Sequence, residues 1–218
     1  MKPSEETPLC ALALCQIAKE AGLPDGVLNC LTVSREEVLE VGKALCKSHL
    51  IKKVSFTGST AVGKWLLKES ADTVKKVSME LGGSAPFIVF EDADIDVAVN
   101  ALIASKFRNA GQVCIASNRI LVQRKVYDEF AAAFSKKVSA LVCGDGKLRE
   151  TNVGPLINQN QLSKVRKHFE DCVLKGAKVR AGGGHAHPLN ETGGSFFHPT
   201  VLTNVTMDML PFQEETFG

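Results

Sequence analysis

The run IKKVSFTGSTAVGKWLLKES, Ile51 to Ser70, constrains the fold most, because it makes a strand hand over to a helix at a glycine. IKKVSF has the β-branched and aromatic content of a strand, and GSTAVGKWLLKES predicts a helix opened by small residues. KKVSMEL and APFIVF predict two further strands, separated by Gly82-Gly83. Upstream, Leu9 to Ala21 has helical apolar spacing and stops at Gly22, and GLPDGVLNCL predicts a Pro/Gly turn and a short strand. Ser34 and Glu37 match the S-x-x-E capping box of a helix through SREEVLEVGKALCKS. Alternating helices and strands favour a parallel α/β sheet.

Past the glycine pair, Asp94 is placed to cap a long helix, DIDVAVNALIASKFRNA, that stops at Gly111. RILVQ predicts a strand, Val126 to Leu141 a helix, and GPLINQNQLSKVRKHFEDCVLKGA a loop and an amphipathic helix ending at Gly176. GGGHAHPLNETGG is expected as a loop and FFHPTVLTNV as a strand. Gly82-Gly83 is the candidate hinge between domains. With 218 residues, 44% hydrophobic, 23% charged and a net charge of +2, the composition is that of an ordinary soluble domain or pair of domains. Lys52-Lys53, Lys75-Lys76 and Lys136-Lys137 are scattered, so no basic face for nucleic acid is expected. No apolar run approaches the ~18 residues of a membrane span. Seven cysteines without a C-x-x-C pair suit a reducing, intracellular setting and no zinc site. DADIDV resembles the start of a calcium loop, but Val97 stands where such a loop needs Gly and Ile103 where it needs Glu. HAH, His185 to His187, is expected as a surface loop rather than a metal site.

Gly58 to Lys64 spells G-x-x-x-x-G-K, seven of the eight positions of a phosphate loop. The eighth should be a hydroxyl for Mg²⁺ and is Trp65, although FIVFEDAD could serve as the acidic strand of an NTPase. A second reading keeps the glycine turn and drops the metal: free N–H groups at the start of the helix suit a dinucleotide pyrophosphate. A third is a glycine turn that binds nothing. Two further residues carry chemistry. Cys114 follows Gly111 and Gln112 in a small-residue turn where a thiolate could meet a substrate. Glu80 ends a strand against two glycines, which suits a partly buried carboxylate with a raised pKa, a general base.

FTGSTAVG, MELGG, GQVC and EETFG occur in an order and spacing that resembles the aldehyde dehydrogenases, and the resemblance runs over all 218 residues. It implies an α/β, aldehyde-dehydrogenase-like fold: part of a Rossmann-type dinucleotide-binding domain (1–82), then part of an α/β catalytic domain (83–218). The chain would be the middle of such an enzyme, inactive alone, with an inactive interaction fragment as the alternative. Trp65 is then no defect, because a dinucleotide needs no Mg²⁺ hydroxyl.

The resemblance implies that Cys114 is the nucleophile and Glu80 the base that activates water. The oxyanion donors would be the Cys114 N–H and an Asn side chain expected from residues preceding Met1. Lys2 and Glu5 match adenosine-ribose contacts. A carboxylate at Glu5 favours NAD over NADP, while Lys2 leaves NADP possible. Gly58, Ser59, Gly63 and Leu81 would line the pyrophosphate and nicotinamide side. Glu215 and Phe217 match the nicotinamide-ribose contacts, with Gln161 and Lys164 as weaker matches. SMELGGSAPFIVFEDADIDVAV and ASKFRNAGQVC most resemble succinate-semialdehyde dehydrogenases, in which an arginine at the position of Arg108 holds the substrate carboxylate. The bland alternative for Arg108 is a helix C-cap. A small aldehyde with a distal carboxylate, a homo-oligomer and an intracellular setting (mitochondrial matrix in a eukaryote, otherwise cytoplasm) are the remaining implications.

Overall fold

Two helices precede the first strand. Helix α1 (Leu9–Glu20) closes at Ala21, where Gly22 takes the left-handed conformation (φ 88°) that a side chain would resist. Helix α2 (Val38–Lys47) begins later than the sequence predicts. Ser34 does not cap it: residues 35–37 form a turn, and Glu37 takes the N-cap position without a side-chain cap bond. The expected short strand before α2 is also absent. That stretch bonds Met1 instead, through Met1 N to Asn29 O and Leu31 N to Met1 O. Strand β1 (Lys53–Gly58), helix α3 (Thr60–Ser70) and strand β2 (Lys76–Leu81) follow as a βαβ unit, with β1 and β2 parallel from Lys53–Lys76 to Gly58–Leu81. In this computed structural model, which describes residues 1–184 and 187–218, these elements form one compact unit, Met1–Leu81.

The second unit is Gly82–Gly218. Strand β3 (Ala85–Val89), helix α4 (Ile95–Phe107) and strand β4 (Ser117–Val122) make a second parallel βαβ unit. Asp94 caps α4 as its sequence predicts, accepting from Val97 N at 3.0 Å. Helices α5 (Tyr127–Ser139) and α6 (Gln159–Leu174), strands β5 (Lys178–Gly183) and β6 (His198–Thr203), and a short helix α7 (Leu210–Gln213) complete the unit. Its core is Val89, Val99, Leu102, Phe130, Phe134, Val138, Ala181 and Val201.

The parallel pairing expected from the alternating helices and strands appears in β1–β2 and β3–β4, which belong to separate two-stranded sheets, while β5 and β6 pair antiparallel in a third. His185 and Ala186, two of the three residues of HAH, lie outside the described residues. His187 is buried rather than on the surface, with Nε2 3.0 Å from the Cys143 carbonyl. Among the described residues no helix is long and apolar enough to cross a membrane.

Candidate active site

Helix α4 stops at Phe107 because the backbone leaves helical geometry at Arg108 (φ −57°, ψ 133°). Asn109, Ala110 and Gly111 then stand in succession at φ 54°, 54° and 76°. Two adjacent non-glycine residues in the left-handed region store strain, and such strain persists only where surrounding bonds enforce it. Here those bonds are local and reciprocal. Asn109 Nδ2 donates to Gln112 O and Gln112 Nε2 to Asn109 O, both at 3.1 Å. Gln112 Oε1 also accepts from Ile157 N at 2.9 Å, anchoring the loop to the chain before α6. The next residues form a turn closed by Ala116 N to Val113 O at 2.9 Å, with Cys114 and Ile115 at its tip. Cys114 is exposed, as expected, and among the described residues its N–H donates to no protein group. An accessible sulfur beside a free amide is an arrangement that can attack a carbonyl and receive the resulting oxyanion.

Arg108 is exposed, and among the described residues its guanidinium makes no hydrogen bond or ion pair. Arg108 does occupy the C-cap position of α4, as the C-cap alternative expects, but among the described residues its side chain satisfies no helix carbonyl. Lys106 is the cation committed at this helix end. Its Nζ donates to Asn118 Oδ1 (2.7 Å) and to the Gly218 carbonyl (3.0 Å). Burial pulls its pKa down to about 8, opposed by the Glu215 carboxylate.

The EETFG segment is held by one face of α6. Gln161 Nε2 donates to Thr216 O (2.8 Å) and Phe217 O (2.9 Å), and Lys164 Nζ donates to Glu215 O. His168 Nδ1 meets Thr216 Oγ1 at 3.2 Å, while Nε2 lies 3.6 Å from Glu214 Oε2. Burial, and then Lys164, holds His168 below its ordinary pKa, so it favours the neutral form. Gln161 and Lys164 thus spend their polar ends on backbone carbonyls of the segment. Phe217 sits at φ 56° under this clamp. Glu215 Oε1 is buried without a partner, and Gly82 leaves the room its carboxylate occupies: a Cβ there would lie 2.0 Å from Oε2.

In the first unit, Ser59 caps α3 by accepting from Val62 N at 3.4 Å, so the glycine turn does open a helix. A Cβ at Gly58 would lie 2.5 Å from the Phe56 ring, and one at Gly63 2.5 Å from Leu81 Cδ2. Gly63 and Leu81 therefore serve the packing of α3 on β2. Trp65, at the position where a phosphate loop needs a hydroxyl, packs its ring against Gly42 of α2. Lys2 is half-buried, with Nζ near the Pro3 carbonyl, and Glu5 is exposed.

Glu80 corrects an expectation. It was expected to be partly buried, yet it is exposed, because β2 alternates and turns Val77, Met79 and Leu81 inward instead. A cavity of about 370 Å³ in the second unit is lined largely by core residues such as Phe130, Phe134 and Val201, and neither Cys114 nor Arg108 reaches it. Among the described residues no cluster of three or more His, Cys, Asp or Glu side chains could hold a metal.

The sequence matches the Aldehyde dehydrogenase family over residues 1–218. The chain belongs to that family. It is 53% identical over 219 residues to mitochondrial succinate-semialdehyde dehydrogenase of Rattus norvegicus, covering all of this chain and 41% of the rat protein. It is 50% identical to a probable succinate-semialdehyde dehydrogenase [NADP(+)] of Sinorhizobium fredii, covering 43% of that protein. The crystal structure of succinate-semialdehyde dehydrogenase from Burkholderia pseudomallei superposes with a TM-score of 0.94 at 47% identity, over all of this chain and 44% of that one. The chain thus spans less than half the length of the aldehyde dehydrogenases it matches. Family membership removes the NTPase reading of Gly58–Lys64. The family uses NAD(P) and acts on small aldehydes. The strained loop before Cys114 and the clamp of α6 on EETFG are features that motif reading alone misses.

Proposed function

We propose that the full-length protein oxidises a small aldehyde carrying a distal carboxylate, succinate semialdehyde foremost, to the acid, with NAD as the acceptor and NADP as the second possibility. The exposed Cys114 thiol, at the tip of a turn with its own amide free, carries this reading. The residues also fit a dinucleotide. Glu215 offers a buried carboxylate oxygen that no protein donor satisfies, suited to ribose hydroxyls, and Gly82 keeps that position open. Gly58 and Ser59 open α3, whose first N–H groups suit a pyrophosphate. Lys2 and Glu5 would take the adenosine ribose, and Gly63, Leu81 and Phe217 would complete the cofactor contacts. When bound, the nicotinamide supplies the hydride acceptor.

The Cys114 thiolate forms a C–S bond to the aldehyde carbon, and the Cys114 N–H donates to the oxyanion. Loss of hydride from that carbon leaves a thioester. Glu80 takes a proton from water, whose oxygen attacks the thioester carbon, and the sulfur departs as thiolate. Arg108, with no protein partner, is the bidentate group for the distal carboxylate. A homo-oligomeric protein in the mitochondrial matrix or the cytoplasm accompanies this reading; likeness to the rat protein, named as mitochondrial, supports only the first of the two compartments. The test is full-length protein carrying Cys114→Ala or Arg108→Leu. Cys114→Ala is expected to bind NADH and oxidise nothing. Arg108→Leu should lose about tenfold or more in kcat/KM on succinate semialdehyde and little on an uncharged aldehyde of equal length. Dehydrogenase activity persisting in Cys114→Ala refutes the nucleophile, and equal losses on both substrates refute the carboxylate anchor.

A further inference from the structure

We propose that Lys106 is a positioning residue whose ammonium joins the loop carrying Cys114 to the segment carrying Glu215, and so holds both in register for cofactor binding. The inference rests on the functional reading above. Lys106 lies in the last turn of α4, and its partner Asn118 is the second residue of β4, so their 2.7 Å bond closes the base of the loop that contains Cys114. A second strap lies beside it, Ser105 Oγ to Ser117 Oγ at 2.8 Å. The same ammonium donates to the Gly218 carbonyl at 3.0 Å, at the far end of EETFG.

Gly111, in the strained run of the loop, lies against both partners. A Cβ there would stand 2.9 Å from Gly218 C and 3.2 Å from Lys106 Nζ. Loop, segment and ammonium therefore converge at one point. An ammonium has three donors and no acceptor, and two of the three are committed to oxygens of different segments.

The charge of Lys106 faces the Glu215 carboxylate. The other charged groups nearby are engaged elsewhere. Arg119 of β4 donates to Phe212 O at 2.6 Å and stacks on the Phe212 ring. From α6, Lys164 bonds Glu215 O, and His168 bonds Thr216 and faces Glu214. Below a pH of about 8 Lys106 carries its charge. Above that it becomes a neutral amine, which can still donate but no longer attracts Glu215, and the junction loosens.

The experiment measures NADH dissociation constants for the full-length protein from pH 7 to 9.5, by fluorescence, in the wild type, Lys106→Met and Glu215→Gln. Wild-type affinity is expected to weaken as pH rises through about 8. Lys106→Met should bind about tenfold more weakly at pH 7 and show no inflection, since it has lost a charge-assisted contact. An inflection that survives in Lys106→Met overturns the proposal. If that variant does not fold, the wild type decides alone: a flat profile across pH 8 overturns it. Failure of the ribose reading shows itself separately, as an unchanged dissociation constant in Glu215→Gln, and leaves the Lys106 inflection to decide the junction.

Discussion

Gly82 and Gly83 are adjacent, yet replacing each by alanine should have opposite consequences. A Cβ at Gly82 would lie 2.0 Å from Glu215 Oε2, 2.7 Å from Cδ and 2.9 Å from Oε1, whereas one at Gly83 meets nothing within 4 Å. The obstructed atoms are the end of a flexible side chain, so Gly82→Ala can be accommodated by swinging the carboxylate aside. Displacement of that kind should cost stability less than the ~1–3 kcal/mol typical of overpacking a core. Function should suffer more. If Glu215 accepts ribose hydroxyls, losing hydrogen bonds to a charged acceptor is worth about 1.5–3 kcal/mol, or about 10- to 100-fold in affinity. The assay is NADH binding to full-length protein by fluorescence, paired with thermal melting to separate affinity from folding. Gly82→Ala should melt within a few degrees of the wild type and bind NADH at least tenfold more weakly, and Gly83→Ala should match the wild type in both. Equal behaviour of the two variants, or a Gly82→Ala affinity within twofold of the wild type, would refute the view that Gly82 exists to make room for the Glu215 carboxylate.

Glu80→Gln should slow thioester hydrolysis more than hydride transfer, so a pre-steady-state burst of NADH should remain while steady turnover falls. Loss of the burst with unchanged deacylation would reverse that role. Ala110→Gly should leave folding stability unchanged or raise it by up to about 1 kcal/mol, read by thermal melting, because the left-handed geometry at φ 54° strains alanine and not glycine. An Ala→Gly change ordinarily destabilises, so a clear drop in melting temperature would show that this loop stores no strain.

What could be read in the sequence is what short-range chemistry dictates. The glycine turn after β1, the Asp94 cap and the period of α6 each depend on residues within one or two helical turns, and each forms where expected. Strand β5 escaped because Lys178–Gly183 is short and ends in two glycines, which strands disfavour; pairing with β6 makes it a strand. Ser34 and Glu37 have the letters of a capping box, but residues 35–37 close into a turn and the helix starts beyond it, at Val38. The candidate site divides along the same line. Cys114 and Glu215 could be singled out because they sit in short motifs, but what holds them could not. Lys106 to Gly218 and Gln161 to Phe217 are side chains meeting carbonyls across 112 and 56 positions of chain. A carbonyl acceptor carries no residue identity, so the sequence has no letter by which to mark it. The exposure of Glu80 followed the same rule in reverse: MELGG identifies a carboxylate, but only the pleat of β2 decides which face it takes.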